Sequence, residues 1–292
     1  MKKRCGTIAI VGQPNVGKST MLNYFIGTKL SITSRKAQTT RYQLLGIHTS
    51  PETQFIFIDT PGYQLEHLNK LNINLNKTVK QVLQDVDVIL FLIEPRQMNE
   101  IDTKILQMIP KKTPVILVIN KVDRLRDKSR ILELIKEFKD NNRFEEIIPT
   151  SVKKQINLKE LLESAKRFLP EQDFIYENDQ ITDKNERFLA AEIIREKIFR
   201  LTGQEIPYAV AVEIEKFELD GKVRRIFAAI IVERDAHKPI IIGNKGIRLK
   251  EISSSARVDM EKLFDGKVWL ETWVKVQKGW SDDLRALKSL GL

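Results

Sequence analysis

Gly12-Gln13-Pro14-Asn15-Val16-Gly17-Lys18-Ser19, with Thr20 behind it, is the stretch on which the reading of this chain turns. It lies between an apolar run, Thr7 to Val11, and a segment with helical spacing, Thr20 to Ile26. A Gly-x4-Gly-Lys-Ser string between a strand and a helix is the pattern of a phosphate-binding loop. Its glycines let backbone N–H groups turn inward around phosphate oxygens, at the positive end of the following helix. Lys18 is placed to reach the β- and γ-phosphates, which makes it a candidate catalytic residue, and the Ser19 hydroxyl to hold Mg²⁺. Standing alone, such a string could also be a glycine turn, so the rest of the chain has to decide.

At 292 residues the chain is long enough for two domains, each with its own core. Its 42% hydrophobic and 30% charged residues describe an ordinary soluble protein, and no apolar run reaches membrane-spanning length. Val88 to Ile93 stops at Glu94, and Val115 to Ile119 stops at Asn120. Met1-Lys2-Lys3-Arg4 leads into a short strand and not into a signal-peptide core. One cysteine excludes an internal disulfide framework and suits a reducing cytoplasm; with three scattered histidines it also disfavours zinc. The net charge of +10 exceeds what a nucleotide enzyme needs and suits a polyanionic partner. Charge alone does not choose between RNA, an anionic membrane surface and simple solubility.

Strand-length apolar runs recur at 7–11, 42–48, 54–58, 86–93, 115–119 and 146–149. Helical stretches fall around 71–84, 101–109, 130–139 and 157–168. This alternation predicts an α/β domain over 1–170 whose mostly parallel sheet is covered on both faces, with ligands at the carboxyl ends of the strands. Residues 171–185 are acidic and polar with little periodicity and read as a linker. From 186 to 292 the rhythm is that of a smaller α+β domain. A helix over 186–202 precedes β-rich runs at 207–217 and 223–234, which Asp220-Gly221 joins as a hairpin. A glycine turn at 243–246, a helix over 247–264 and a strand near 267–276 follow.

Four further segments extend the nucleotide reading. Asp59-Thr60-Pro61-Gly62 follows the strand Phe55 to Ile58: Asp59 can hold Mg²⁺ through a water, and Gly62 can bring its N–H against the γ-phosphate. The same string is also a good turn. Asn120-Lys121-Val122-Asp123 follows Val115 to Ile119. Asp123 can accept hydrogen bonds from N1–H and the exocyclic amine of guanine, a donor pair that adenine lacks, so ATP would leave the carboxylate unpaired. Asn120 would position the loop, and the Lys121 stem can lie along the base. Thr150-Ser151-Val152 is placed to offer a backbone N–H, from Ser151 or Val152, to the guanine oxygen. Thr39-Thr40-Arg41 lies in a polar segment where a threonine, Thr40 before Thr39, could close on Mg²⁺ when a γ-phosphate is present. A flexible polar connector is the alternative there.

The second half carries its own motif. In Ile240-Ile241-Ile242-Gly243-Asn244-Lys245-Gly246-Ile247-Arg248-Leu249-Lys250-Glu251-Ile252, a Gly-x-x-Gly turn opens a helix whose Ile247 and Ile252 can face a core. Gly243, Asn244, Lys245 and Gly246 resemble the clamp of a KH domain, which grips about four single-stranded nucleotides, with Arg248 and Lys250 beside it. Residues 222–292 hold fifteen Lys/Arg against nine Asp/Glu. Arg224, Arg225 and Lys238 could join the clamp residues in a phosphate-tracking face. Trp269, Trp273 and Trp280 read as packing residues, and His237 as an ordinary loop histidine.

In their order and setting the five front segments resemble the GTPase domain related to translation factors. The chain as a whole, including Ser34 to Arg41 and Val274 to Trp280, resembles the Era family of bacterial GTPases: a P-loop GTPase domain, a linker and a type II KH domain. That resemblance implies GTP and GDP as ligands, Mg²⁺ as cofactor, and binding of the 3′ end of 16S rRNA during maturation of the 30S ribosomal subunit. It further implies a cytoplasmic, monomeric protein partly associated with the inner membrane. In GTPases of this appearance an asparagine at the place of Asn15 helps bind K⁺, which implies potassium-stimulated hydrolysis. Tyr63 stands where small signalling GTPases carry a water-orienting glutamine, and Val152 where alanine is usual. Two other classes stay open on residues alone: an ATP-dependent kinase, and a constitutive RNA-binding factor whose nucleotide site is mainly structural.

Overall fold

The computed structural model describes residues 2–33, 41–61, 70–140, 142–203 and 210–283, without the side chains of 70–72 and 74. Thr39, Thr40, Gly62 and Tyr63 therefore lie outside the described residues. The chain divides into two compact units, the first built mainly from residues up to Asp183 and the second mainly from Lys184 onward.

In the first unit β1 (Arg4–Gly12), β2 (Leu44–Thr49), β3 (Thr53–Asp59), β4 (Val88–Ile93), β5 (Val115–Ile119) and β6 (Glu146–Pro149) form a sheet ordered β2-β3-β1-β4-β5-β6. Every pairing is parallel except that of the edge strand β2, which joins β3 as a hairpin partner. β4 (VILFLI) and β5 (VILVI) are buried at every position, as continuous apolar runs must be when both sheet faces are covered. One face packs against α2 (Lys70–Gln84), α3 (Glu100–Met108) and α4 (Ser129–Lys139) through Val79, Leu83, Ile105, Leu134 and Phe138. On the other, α1 (Lys18–Ile26) stacks Phe25 on Phe57 at 4.9 Å, and α5 (Leu158–Lys166) buries Leu161 and Ala165.

The stretch read as a linker is largely bound to this unit. Cys5 N–H donates to Pro170 O, Gln172 Nε2 to Cys5 O, and Ile47 N–H to Ile181 O. Gln54, fully buried, accepts at Oε1 from Ile175 N–H and Tyr176 N–H and donates from Nε2 to Tyr176 O at 2.8 Å. A polar, aperiodic sequence has no periodicity to report such pairing, because its partners are backbone groups and one distant amide.

The second unit is a three-stranded sheet, β7 (Val210–Asp220), β8 (Val223–Val232) and β9 (Lys267–Val276), with β7–β8 antiparallel and β8–β9 parallel. Gly221, at φ 61°, makes the expected hairpin turn. α6 (Glu186–Leu201) and α8 (Ile247–Leu263) supply buried Ile194, Ile198, Ile252, Ala256 and Met260. Between β8 and the glycine turn lies a short helix, α7 (His237–Ile242), which sequence reading missed. Three consecutive isoleucines look like strand, but Pro239 sits in the first helical turn, where no N–H is needed. His237 is accordingly a helical residue, not a loop one.

Candidate nucleotide and RNA sites

Parallel topology gathers the front motifs at one end of the sheet. β1 exits into the phosphate loop, and Ile10 pairs with Asp59 at the end of β3. β5 exits into Asn120 and β6 into Thr150. The register is fastened from both sides: Thr60 Oγ1 donates to Ile10 O at 3.0 Å, Asn120 N–H to Ile93 O at 2.8 Å and Thr150 N–H to Ile119 O at 2.8 Å.

Within the loop, Lys18 is buried, and its ammonium donates to Gly12 O at 3.0 Å and Gln13 O at 2.9 Å. Burial pushes its pKa down to about 8, with Asp59 partly opposing the shift. Gly17 has φ 109°, and a Cβ there would meet Asn120 Nδ2 at 2.3 Å. The glycine is thus required by a neighbour from another motif. Asn120 donates from Nδ2 to Val16 O at 2.8 Å, and its Oδ1 accepts from Thr150 Oγ1 and Val152 N–H. Lys121, itself at φ 66°, donates to Asn15 O and to Glu94. One loop more than 100 residues away in sequence, that of Asn120 and Lys121, therefore holds the phosphate loop in shape.

Ser19 Oγ donates to Asp59 Oδ2 at 2.8 Å, and Ser31 Oγ donates to the same oxygen at 2.6 Å. A serine hydroxyl and a buried carboxylate this close are hard oxygen donors of the kind Mg²⁺ takes, alongside waters and phosphate. Ser31 was not foreseen, since a lone serine after a helix carries no signal.

Asp123 Oδ1 accepts from Ser151 Oγ at 2.5 Å, leaving the rest of the carboxylate to face a base. The expectation for Ser151 changes here. Its N–H donates to Ile156 O at 3.3 Å, so its clearest contribution is the hydroxyl that orients Asp123. Val152 N–H reaches Asn120 Oδ1 only at 3.4 Å.

In the second unit the Gly243-Asn244-Lys245-Gly246 turn runs through three positive-φ residues, Gly243 at 73°, Lys245 at 47° and Gly246 at 78°. A Cβ on Gly243 would meet Arg248 Cβ at 2.7 Å, so Gly243 is fixed by packing. At Gly246 the space is open, and only the backbone conformation is demanding. α8 starts behind Gly246 with no side-chain cap, so its first amides face outward and can meet a phosphate.

Ile252 is core, but Ile247 is 64% exposed and Ile240 39%, contrary to the expectation that Ile247 packs inward. Exposed apolar side chains therefore flank the turn on each side. Arg248 braces the turn by donating to Ile240 O at 3.0 Å, while Lys245 and Lys250 are not buried. Arg224 is held bidentate by Glu186, at 2.8 and 2.7 Å, and Arg225 pairs with Asp220 while lying over Trp269. Both guanidinium groups thus have partners within the second unit. Trp280 is fully buried as expected, whereas Trp269 is 42% exposed, against Phe227.

A phosphate loop, a carboxylate-bearing base loop and a Gly-x-x-Gly clamp on separate units define a guanine-nucleotide-binding P-loop protein with a KH module. Comparison with known proteins agrees with both halves. Residues 7–121 match the family model described as a 50S ribosome-binding GTPase, and residues 205–281 match that of the KH domain. GTPase Era of Chromobacterium violaceum is 52% identical over 288 residues, covering 99% of this chain and 97% of that protein. GTPase Era of Marinobacter nauticus is 50% identical over 292 residues, covering 100% and 96%.

Two solved structures superpose with a TM-score of 0.95 at 42% identity, covering 99% of both chains. One is Aquifex aeolicus Era Y63A bound to GDP·AlF4⁻; the other is Era in complex with MgGDPNP and nucleotides 1506–1542 of 16S ribosomal RNA. The chain belongs to the Era family of GTPases.

Proposed function

We propose that this GTPase is a nucleotide-gated RNA-binding protein that grips the single-stranded 3′ end of 16S rRNA and assists maturation of the 30S subunit. The observation that carries the reading is the coexistence, in one chain, of the Asp59–Ser19 phosphate and metal corner, the Ser151-oriented Asp123, and an open Gly-x-x-Gly turn ahead of an uncapped helix. The solved relative with MgGDPNP and 16S rRNA supports it.

Ser19 and Asp59 would hold Mg²⁺, with Thr40 as a further ligand, and the ion would supply charge neutralisation of the nucleotide's phosphates. Lys18 leaves Gly12 O and Gln13 O to meet the β- and γ-oxygens. Asp123 reads guanine, and Gly62 donates its N–H toward the γ-phosphate. Asn15 would help bind K⁺, whose charge acts as a supplied arginine does in other GTPases. Tyr63 has no amide to orient water, so intrinsic turnover is slow. In the second unit the first amides of α8 and Lys245 take phosphates, and Ile240 and Ile247 flank the bases.

Three measurements test the reading. RNA ending in the 16S 3′ sequence should bind more tightly with a non-hydrolysable GTP analogue than with GDP; equal affinity would make the protein a constitutive RNA binder instead. Turnover should be faster in potassium than in sodium buffer, and identical rates would remove K⁺ from the mechanism. Cell fractionation tests the proposed peripheral association with the inner membrane.

A further inference from the structure

We propose that Asp102, which lies outside every nucleotide-binding segment, is a positioning residue for the nucleotide site and acts through Gln13. Asp102 stands in the first turn of α3 and is fully buried. Part of its role is local. With Asn99 it forms a capping box: Asn99 Oδ1 accepts from Ile101 N–H and Asp102 N–H, and Asp102 Oδ2 accepts from Asn99 N–H at 3.2 Å. Arg96 donates to the same Oδ2 at 2.6 Å. A cap needs nothing more.

Asp102 Oδ1, however, points elsewhere. It accepts from Gln13 Nε2 at 2.7 Å, and the second hydrogen of that amide goes to Asn99 Oδ1, also at 2.7 Å. Both donors of Gln13 are thereby committed to the start of α3. The backbone carbonyl of the same Gln13 accepts from Lys18 Nζ at 2.9 Å. A buried carboxylate is thus two side-chain contacts from the ammonium that meets the terminal phosphates.

The loop from Gln13 to Asn15 belongs to no helix or strand, so its shape depends on such anchors. Asn15 O is held by Lys121, and Val16 O by Asn120. Gln13 is held by Asp102. Without that bond the first residues of the loop must be ordered by the nucleotide itself, which lowers affinity through the entropy of fixing backbone. A neutral donor bonded to a buried carboxylate is a charge-assisted bond, so its loss should weaken nucleotide binding about tenfold.

The test is a double-mutant cycle read by fluorescent GDP binding and release. Gln13→Ala removes both bonds of the amide to the start of α3 while leaving the capping-box bonds between Asn99, Ile101 and Asp102 in place, and Asp102→Asn keeps the shape of the cap while removing its charge. Each should raise the GDP dissociation constant about tenfold, mainly through faster release, and raise KM more than it lowers kcat. The double variant should bind no worse than the weaker single one, since both break one contact. Gln13→Arg, which can still donate to Asp102, should restore wild-type affinity. If Gln13→Ala binds GDP as the wild type does, or if the two losses simply add, Asp102 is only a helix cap and the proposal is wrong. Thermal unfolding separates these outcomes: a cap defect lowers Tm more in Asp102→Asn, which disturbs the capping box itself, than in Gln13→Ala, which leaves it in place.

Discussion

Raising the pH from 7.0 to 8.75 should weaken guanine-nucleotide binding through one group, Lys18. Burial lowers its pKa to about 8 in the free protein, with the Asp59 carboxylate opposing the shift. The phosphates of a bound nucleotide place strong negative charge beside the ammonium and favour the protonated form. Binding therefore requires a proton on Lys18. Below pH 8 the free protein already holds it; above, binding must take one up.

At pH 8.5 about three quarters of free Lys18 is neutral, so about 0.75 proton is absorbed per nucleotide, against about 0.1 at pH 7.0. Affinity should fall about sixfold between pH 7.0 and 8.75, roughly 1 kcal/mol. Phosphate groups titrate near pH 6 and stay ionised across this window. Titration calorimetry of Mg–GDP binding in buffers of different ionisation enthalpy measures the uptake directly. An uptake near zero at pH 8.5, or the same pH dependence in Lys18→Met, would refute the reasoning. The converse holds for stability: because the unfolded chain keeps this proton more firmly than the native one, the free protein gains stability as pH rises from about 8 towards 10.5.

Gly17→Ala puts a Cβ within 2.3 Å of Asn120 Nδ2 at φ 109°; left-handed strain and the displaced buried amide together should cost roughly 2–5 kcal/mol, seen as lower Tm and lost GDP binding. Ser151→Ala removes the hydroxyl that orients Asp123 and should weaken GDP binding by roughly 1 kcal/mol while leaving RNA affinity unchanged, measured on the same preparation. Gly246→Asp should abolish RNA binding in a gel-shift assay without altering GDP affinity, since the turn must approach a phosphate strand and the new side chain repels it. Gln54→Ala leaves three backbone groups of the 175–176 strap without their partner and should lower unfolding free energy by about 2–4 kcal/mol in urea titration.

Much of the first unit could be read from the chain because its chemistry is written in short strings at strand ends. Gly12 to Ser19, Asp59 and Asn120 to Asp123 each follow an apolar run, and a parallel sheet places all such ends together. The helices and strands fell within a few residues of expectation wherever the apolar signal was strong, as in the continuous runs of β4 and β5 and in α6. The reading assigned no element to the three isoleucines before Gly243, which form helix, and it expected Ile247 in a core where Ile247 faces solvent beside the clamp.

What the amino-acid order determined by itself was the chemistry on offer: a phosphate loop, a carboxylate in an Asn-Lys-x-Asp string after a strand, and a Gly-x-x-Gly turn. Tertiary structure alone decided which distant groups hold those pieces in working shape. Gln13 and Asp102 are 89 positions apart, and Lys121 and Glu94 are 27. They meet because the sheet order sets β1 beside β4 and β4 beside β5, so that the loops leaving adjacent strand ends touch. The reach of a side chain is a few ångströms, and only the strand order brings separations of that size to residues so far apart along the chain.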